Sequence, residues 1–387
     1  MDDEGAVIDS LKIKGFKLFR DFELPKLARL NLFVGTNNAG KSCLLEAVRL
    51  YVNLINGNQS ILPEMVRLRD GDWELNIATR DPEREEAPTV IENPIRFLFN
   101  DFHYEKDPSA VIEIGPIDDG GLNLRLSSGL YRQVREENVL PKWVQVERED
   151  AAATSEEVEE MLEIRVGDNR RLVSADRLWS RRSFLREQPS TAIGSKPITI
   201  VGASGIEPAK VGVLWDQVSI APQQSNVLDC LALIKEPKIE ALALVGDSSS
   251  YRNGAVQRIP VVRIRGSEER FPLKSMGDGL TRLFHIALAM VNAQHGVILI
   301  DEFENGLYWE VLEQLWPVIF RMAEELDVQV FATTHSRDCM VGFANAWGQE
   351  PSLGTMYRLE RTESSVNAFS LPVQNLQDAL ASHVEVR

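Results

Sequence analysis

Apolar and polar residues alternate in part through residues 11–34, with Gly15 and Pro25 interrupting the pattern. Alternation broken by turn-forming residues predicts two or three short strands. The last of them, LNLFV at 30–34, is a continuous apolar run. Apolar residues then recur at helical spacing from Leu44 to Ile55, which predicts a helix over about 40–56. The first part of the chain is therefore expected to form a strand–loop–helix unit.

The last part of the chain shows a similar alternation of short and long apolar segments. Residues 256–264 (VQRIPVVRI) predict a strand, and 279–291 predict a helix that is apolar nearly all round. The short runs at 297–300 (VILI) and 328–332 (VQVFA) are typical of buried parallel strands. A helix is predicted between them, over 311–326. Strands that alternate with helices predict an α/β fold around a parallel sheet.

The middle of the chain has a different composition. Residues 147–163 are strongly acidic, and residues 165–186 are rich in arginine. This pattern favours a largely helical insertion with solvated, ion-paired faces. An alternative is a basic contact surface for nucleic acid or an acidic partner, in which Trp179 and Phe184 stack on bases. The shift in composition predicts three segments: an N-terminal lobe at 1–125, a helical insertion at 126–250 and a C-terminal lobe at 251–387.

Two further strands are predicted before this insertion, and two helical segments are predicted within it. Residues 91–99 and 111–117 are expected to be strands, and helical periodicity is present over 227–234 and 239–245.

Composition and charge narrow the range of functions. The formal net charge of −16 argues against a protein coated for non-specific DNA binding, although a local basic groove remains compatible with it. No apolar run approaches the ~18 residues of a membrane span, and the acidic N-terminus lacks the features of a signal peptide. The three cysteines are far apart, without the spacing of a metal site or a disulfide framework. We therefore expect a cytoplasmic protein with no membrane partner.

The segment GTNNAGKS at 35–42 fits the P-loop pattern G-x-x-x-x-G-K-[ST] between the predicted strand and helix. Its glycines let the backbone wrap closely, so that N–H groups and the helix N-terminus face phosphate oxygens. Lys41 would reach the β- and γ-phosphates, and Ser42 would hold Mg²⁺. The pattern predicts the α/β fold of a P-loop NTPase, with nucleotide binding by Gly35, Thr36, Asn37, Asn38, Ala39, Gly40, Lys41 and Ser42.

Two carboxylates follow the predicted strand at 297–300, in the sequence VILIDEFENGL. The carboxyl end of a parallel strand is where α/β sheets bind ligands. Asp301 would bind Mg²⁺ directly or through its water, and Glu302 would act as general base on the attacking water. The segment TTHS at 333–336 follows the next strand, so His335 could contact the γ-phosphate or its bound water.

A second anion site is predicted at KSMGDGLTR, residues 274–282, just before the apolar helix. Ser275, Gly277 and Gly279 offer a hydroxyl and close backbone N–H groups at a helix N-terminus. Because the P-loop already holds one nucleotide, this site suggests a γ-phosphate bound to another protomer.

These motifs, in this order, resemble the ABC-type ATPase heads of SMC, RecF and OLD-like proteins. The segments SMGDGLTRLF, LIDEFENGLY and QVFATTHS are especially similar to stand-alone OLD-like AAA/ABC ATPases of bacterial defence and mobile-element loci. The resemblance covers roughly residues 10–60 and 255–387. It implies an ATP sandwich, a homodimer or higher oligomer with Mg²⁺, in which Glu302 and His335 are catalytic. The signature residues that would contact the partner's ATP are Ser275, Gly277, Asp278 and Gly279.

The chain departs from the pattern of these relatives in several places. No glutamine stands where a Q-loop is expected, and Tyr308 follows ENGL where relatives often have His. The sequence also lacks a long coiled coil between the motif halves and an acidic cluster typical of a Toprim nuclease domain. The resemblance then implies an ATP-hydrolysing subunit that controls a separately encoded effector, such as a nuclease, in an anti-phage or mobile-element system.

Other functions remain open at this point. One is a RecF-like DNA-binding repair or loading ATPase without an effector, whose stimulation by DNA would be lost on charge reversal at Arg181 and Arg182. A GTPase or kinase is less consistent with the sequence, which has no N-K-x-D base-reading motif. A scaffold that binds ATP without hydrolysing it would not need Glu302 and His335.

Overall fold

Two compact units make up the chain, and the sequence passes between them more than once. Unit 1 comprises Met1–Asp9, Leu24–Leu45 and Lys196–Arg387, and unit 2 comprises Ser10–Glu23 and Glu46–Ser195. The structure, a computed structural model, describes residues 8–67, 94–100, 110–118, 122–134, 142–147, 158–174, 196–218, 224–233, 238–252, 255–382 and 386.

Unit 1 is built on a six-stranded sheet. Its strands are β3 (Leu30–Val34), β9 (Ile198–Val201), β13 (Val297–Ile300), β14 (Gln329–Thr334), β15 (Gly354–Arg361) and β16 (Val366–Ser370). They lie in the order β16-β15-β3-β14-β13-β9, and every pair is parallel except β15 with β16. All residues of β3, β13 and β14 are buried, as expected for parallel strands covered on both faces. The central strands therefore form the core of the unit.

Helices and a small antiparallel sheet complete unit 1. Helix α1 (Lys41–Ile55) begins in unit 1, and its residues from Glu46 onwards belong to unit 2. The other helices of unit 1 are α3 (Pro208–Val218), α4 (Gln224–Leu231), α5 (Asp278–Asn292), α6 (Trp309–Glu325), α7 (Arg337–Gln349) and α8 (Val373–Ala381). The small sheet is formed by β10 (Ile239–Arg252), β11 (Ala255–Ile264) and β12 (Arg270–Pro272). Helix α5 is buried along almost its whole length, which explains why its sequence is apolar on nearly every side.

Unit 2 is built on a seven-stranded antiparallel sheet. Its strands are β1 (Leu11–Phe16), β2 (Phe19–Leu24), β4 (Val111–Gly115), β5 (Leu124–Val134), β6 (Lys142–Val146), β7 (Val158–Val166) and β8 (Asn169–Ser174). The order is β2-β1-β4-β5-β7-β8, and β6 pairs with β5. A short helix, α2 (Ile61–Arg67), and a 3₁₀ turn at Pro94–Leu98 also belong to this unit.

The structure confirms the α/β fold class and corrects the prediction for the middle of the chain. Residues 126–250 were expected to be largely helical, yet their described part consists mostly of strands, with α3 and α4 as the helices. The charged residues that led to the helix prediction form ion pairs within the sheet instead. Arg165, on β7, and Arg170, on β8, both donate hydrogen bonds to Glu163 on β7. The two units also cut across the predicted division at residues 125 and 250.

Two shorter predictions are also wrong. Residues 239–245, predicted as helix, belong to β10, which pairs with β11 over almost its full length. Pairing with a neighbouring strand outweighs the local periodicity there. Residues 94–98, predicted as strand, form the 3₁₀ turn that begins at Pro94. The proposed stacking residues Trp179 and Phe184, with Arg181 and Arg182, lie outside the described residues.

No helix in the described part of the chain is long and apolar enough to cross a membrane.

His285 on α5 makes the stability of the fold depend on pH. Its ring is buried, and its Nδ1 accepts a hydrogen bond from the Ile206 backbone N–H at 3.2 Å. Burial, with a smaller effect of the Arg282 charge, lowers the pKa of His285 from 6.5 to about 4. Between these values the unfolded chain binds a proton that the folded chain excludes, so stability falls as the pH falls.

We predict that this histidine costs the protein about 3 kcal/mol of unfolding free energy between pH 6.5 and pH 4. In the variant His285→Gln, the side-chain carbonyl still accepts a hydrogen bond but does not titrate. Urea unfolding at pH values across this window should therefore show a shallower loss of stability for the variant than for the wild type. Equal slopes would mean that His285 does not stay neutral in the folded protein.

Candidate active site

The loop between β3 and α1 has the shape that its glycines predict. Gly40 has φ +100°, and Asn38 also adopts a left-handed backbone, with φ +65°. A Cβ atom on Gly35 would lie 2.6 Å from the Leu359 carbonyl oxygen, so this position accepts no side chain. The tip of the loop, residues 36–38, is exposed, and α1 begins directly at Lys41. The loop therefore presents its backbone next to a helix N-terminus, as phosphate binding requires.

Lys41 connects this loop with the distant carboxylates. Its ammonium donates hydrogen bonds to the carbonyls of Gly35 (2.7 Å) and Thr36 (2.9 Å), and its side chain is largely buried. Burial lowers the pKa of Lys41, while the charges of Asp301, then Glu304 and Glu302, act in the opposite direction. The P-loop and the segment after β13 thus meet in one site.

Asp301 and Glu302 follow β13 at the carboxyl edge of the sheet, and Thr333 of β14 fixes both. Its hydroxyl donates to Asp301 Oδ1 at 2.6 Å and accepts from the Glu302 backbone N–H at 2.9 Å. The parallel register explains this contact, because Ile300 lies beside Ala332 and the next residues are neighbours too. Thr333 lies within the predicted TTHS motif, yet only the strand pairing reveals its role.

The Walker B turn, defined here as residues 301–307, holds Glu302 in an unusual conformation. Glu302 has φ +48°, which is uncommon for a non-glycine residue and costs conformational energy. The Asn305 side chain donates to Glu302 Oε2 at 2.6 Å and to the Ala203 carbonyl at 3.1 Å. Phe303 anchors the turn in the core, where its ring stacks on Trp316 at 4.1 Å between centroids. The backbone of Glu302, the candidate general base, is therefore held by Thr333, and its carboxylate is held by Asn305.

Arg282, on helix α5, binds the backbone of the same turn. Its guanidinium donates to the carbonyls of Asp301 (2.7 Å) and Glu302 (2.8 Å), and also to that of Gly202. Burial lowers the pKa of Arg282 to about 10, against the effect of the nearby carboxylates. Arg282 ends the segment KSMGDGLTR, yet the sequence assigns it no role, because its carbonyl partners come from segments that only the fold brings next to α5.

His335 stands at the end of β14, and Glu304 of the Walker B turn lies beside it. Glu304 Oε1 accepts from the His335 backbone N–H at 2.8 Å and lies 3.0 Å from His335 Nδ1. Glu304 Oε2 accepts from the Thr334 hydroxyl at 2.7 Å. Glu304 was not identified from the sequence as a site residue, although it stands in the ENGL segment next to the predicted general base.

The predicted signature residues form an exposed loop before α5. Ser275, Gly277 and Asp278 are exposed, and the Ser275 hydroxyl donates to the Pro272 carbonyl at 2.6 Å. Gly277 has φ +107°, and among the described residues beyond its two chain neighbours, none has a heavy atom within 4 Å of a Cβ placed there. Gly279, by contrast, packs so closely on Gly306 that a Cβ atom would lie 2.8 Å from the Gly306 carbonyl oxygen. The loop is thus joined to the Walker B turn of its own chain.

The residues present fit a magnesium ion that is held mainly by a nucleotide. Across the described ranges, no group of three or more His, Cys, Asp or Glu side chains could hold a metal by itself. Mg²⁺ is usually bound by one or two carboxylates together with phosphates and waters. Ser42, exposed at the first turn of α1, and Asp301, with one oxygen fixed by Thr333, match that donor set.

Two family models match the two parts of the chain that form this site. The family described as "AAA ATPase domain" matches residues 7–113, which include the P-loop. The family described as "AAA domain, putative AbiEii toxin, Type IV TA system" matches residues 261–338, which include the signature, the Walker B turn and His335. Together with the geometry of the site, these matches identify the chain as an ATPase.

Two individual proteins are also similar in sequence, one over most of the chain and one over a short segment. An ATP/GTP phosphatase of Helicobacter pylori is 23% identical over 347 residues, 86% of each chain. An uncharacterized protein of Methanocaldococcus jannaschii is 37% identical over 52 residues, which are 13% of this chain and 24% of that protein.

Solved SMC heads are also similar in structure. The SMC head with an extended coiled coil from Pyrococcus furiosus, bound to the C-terminal domain of ScpA, aligns with a TM-score of 0.49 and 12% identity over 97% of this chain and 99% of that one. The SMC head from Thermotoga maritima aligns at 0.41 and 14%, over 94% and 98%. At these TM-scores the likeness carries no further conclusion.

We predict that Lys41→Ala weakens ATP binding by at least about tenfold, because it removes a charge-assisted contact of the kind worth about 1.5–3 kcal/mol. Lys26→Ala is the matched control, since Lys26 is exposed and the contacts described for it with Tyr357 involve only its backbone. Equilibrium titration with a fluorescent ATP analogue measures both variants. Normal binding by Lys41→Ala would show that the loop does not hold the nucleotide as its pattern predicts.

Proposed function

We propose that this ATPase hydrolyses ATP with Mg²⁺ in a site completed by a second copy of the chain, and that the cycle of closing and opening controls a separate effector. The observation that carries the proposal is that β3, β14 and β13 are parallel neighbours. Lys41, after β3, and Asp301 and Glu302, after β13, therefore follow strands that end at the same edge of the sheet. A nucleotide-binding lysine next to a metal-binding and a base carboxylate is the combination that phosphoryl transfer to water needs.

Within the site, each residue has a distinct part in hydrolysis. Lys41 and the loop N–H groups bind the β- and γ-phosphates, and Ser42 with Asp301 would hold Mg²⁺. The ion would neutralise charge that develops on the phosphate oxygens. Glu302 takes a proton from the attacking water, whose oxygen bonds to the γ-phosphorus while the bond to the β,γ-bridging oxygen breaks. ADP and inorganic phosphate are the products.

A second copy of the chain is proposed because the signature loop is exposed. Ser275 and Gly277 are exposed, so the loop is accessible to an anionic group from outside its own chain. Backbone N–H groups at the start of α5 would receive that anion. Because Gly279 packs against Gly306, a nucleotide of the partner bound at the signature loop would lie close to the Walker B turn of this chain.

The proposed biological role is control of an effector, such as a nuclease, in defence against phages or mobile elements. It is supported by the match of residues 261–338 to a family described with the AbiEii toxin of a type IV toxin–antitoxin system. The similarity to an ATP/GTP phosphatase supports nucleotide hydrolysis as the activity that drives such control.

We predict that Glu302→Gln lowers the rate of ATP hydrolysis by a factor of about 10²–10⁴, because the amide cannot accept the proton from water. ATP binding should remain close to that of the wild type. Glu310→Gln, a change of the same kind at an exposed position of α6, serves as control. The rate of phosphate release under saturating ATP is measured for the wild type, Glu302→Gln and Glu310→Gln. Equal rates for the wild type and Glu302→Gln would show that Glu302 is not the general base.

The same variant tests the assembly. Glu302→Gln should accumulate with ATP bound, so its mass measured by light scattering should rise to that of a dimer or larger assembly when ATP and Mg²⁺ are added. Glu302→Gln combined with Lys41→Ala should keep its mass. A mass that is unchanged by ATP in the single variant would contradict the dimeric site.

A further inference from the structure

We infer that Asn305 is a positioning residue for Glu302, whose carboxylate it orients through a hydrogen bond from its side-chain amide. The inference rests on the proposed function, because it assigns how the proposed general base is directed at the attacking water. Asn305 stands in the Walker B turn, and its amide also bonds the carbonyl of Ala203, in the segment after β9. It therefore connects the base to a second strand of the sheet.

The partners of the Asn305 amide determine which of its two ends faces them. Asn305 Nδ2 lies 2.6 Å from Glu302 Oε2 and 3.1 Å from the Ala203 carbonyl oxygen. A carbonyl oxygen accepts hydrogen bonds and does not donate them, and the same is true of the ionised carboxylate that a general base must present. The NH₂ group must therefore face both partners, and it has one hydrogen for each of them.

The turn that contains Ala203 is a fixed anchor for this amide. It follows β9, the parallel neighbour of β13, so it lies at the same edge of the sheet as the Walker B turn. Gly202 and Gly205 close it with two backbone hydrogen bonds, of 3.1 and 2.9 Å. The Gly202 carbonyl also accepts a hydrogen bond from Arg282 on α5. An amide bonded to this turn therefore has a defined position.

The backbone of the Walker B turn brings Asn305 and Glu302 into contact. The Asn305 backbone N–H donates to the Glu302 carbonyl at 3.0 Å, and Arg282 donates to the same carbonyl at 2.8 Å. Glu302 has φ +48°, so these bonds hold its backbone in a conformation that is uncommon for a non-glycine residue. They do not fix the torsions of the long Glu302 side chain. The Asn305 amide supplies the contact that orients the carboxylate itself.

A neutral donor suits this task better than a cation. Lysine or arginine at position 305 could also orient the carboxylate, but a positive charge would stabilise its ionised form and weaken it as a base. A neutral amide carries no such charge, so it fixes the direction of the carboxylate with a smaller loss of basicity. Because both amide hydrogens are used within the chain, we assign Asn305 to orientation of the base rather than to binding of phosphate.

We predict that Asn305→Ala lowers kcat about ten- to a hundredfold, because a poorly oriented base removes the proton less often, and leaves the KM for ATP nearly unchanged. Asn305→Asp should be at least as slow, since it keeps the shape and turn preference of asparagine but places a second negative charge beside Glu302. Asn367→Ala, at an exposed position of β16, is the matched control and should hydrolyse ATP like the wild type. Wild-type kcat in Asn305→Asp, or a raised KM at unchanged kcat, would overturn the inference.

A double-mutant cycle separates orientation of Glu302 from general support of the turn. If Asn305 acts through the Glu302 carboxylate, Asn305→Ala should slow the wild type but cause no further loss in Glu302→Gln. Single-turnover hydrolysis measures the slow variants. Similar losses in both backgrounds would show that Asn305 only supports the turn, and they would contradict the inference.

The contact itself can be measured in the full chain without nucleotide. In ¹H–¹⁵N spectra, the side-chain amide signals of Asn305 are those that disappear in Asn305→Asp. Glu302→Ala removes the acceptor of one amide hydrogen, so one of the two proton signals should move upfield while the other stays nearly in place. Unmoved signals would overturn the inference. If the wild type proves unable to hydrolyse ATP, the proposed function fails, whereas these spectra still decide whether Asn305 holds Glu302.

Discussion

The buried ammonium of Lys41 is the interaction on which the arrangement of the site depends. It satisfies its hydrogen bonds on two carbonyls of its own loop, in a place where burial disfavours the charge and three carboxylates favour it. Those carboxylates all follow β13, far along the chain from Lys41. The positive charge of Lys41 is therefore stabilised by a segment that only the folded sheet brings near it. A positive charge at this edge of the sheet and the carboxylates around it stabilise each other, and a bound phosphate would enter a site that is already electrostatically organised.

The three carboxylates after β13 are close in sequence but have separate surroundings. Asp301 bonds the Thr333 hydroxyl, Glu302 is held by Asn305, and Glu304 bonds the segment that contains His335. Identical or similar chemical groups thus differ in what they can do, because each is oriented by a different neighbour. Helix α5, which carries the signature at its start, holds the backbone of this turn through Arg282. A single short turn therefore contacts β14, the segment that contains His335 and helix α5.

Much of this site could be predicted from the sequence, and the parts that could not have a common reason. Residues 35–42 and Asp301 carry their chemistry in local patterns, and the strand–loop–helix context around them is what the structure contains. Thr333, Arg282 and Glu304 act through contacts that depend on which strands and helices are neighbours. Sequence periodicity also failed in the strands from β5 to β10, because charged residues on a paired strand can resemble the polar face of a helix when the partner strand is unknown.

The position of β3 in the sheet has a consequence for the synthesis of the protein. Its two neighbours are β14 and β15, and Asn31 on β3 bonds the Val330 carbonyl, 299 residues later in the chain. On the ribosome, the largely apolar strand β3 emerges early, and it has no sheet partner until β14, at residues 329–334 of 387, has been translated. A nascent or truncated chain that ends before β14 exposes that strand as an unpaired edge prone to aggregation, and it lacks a nucleotide site.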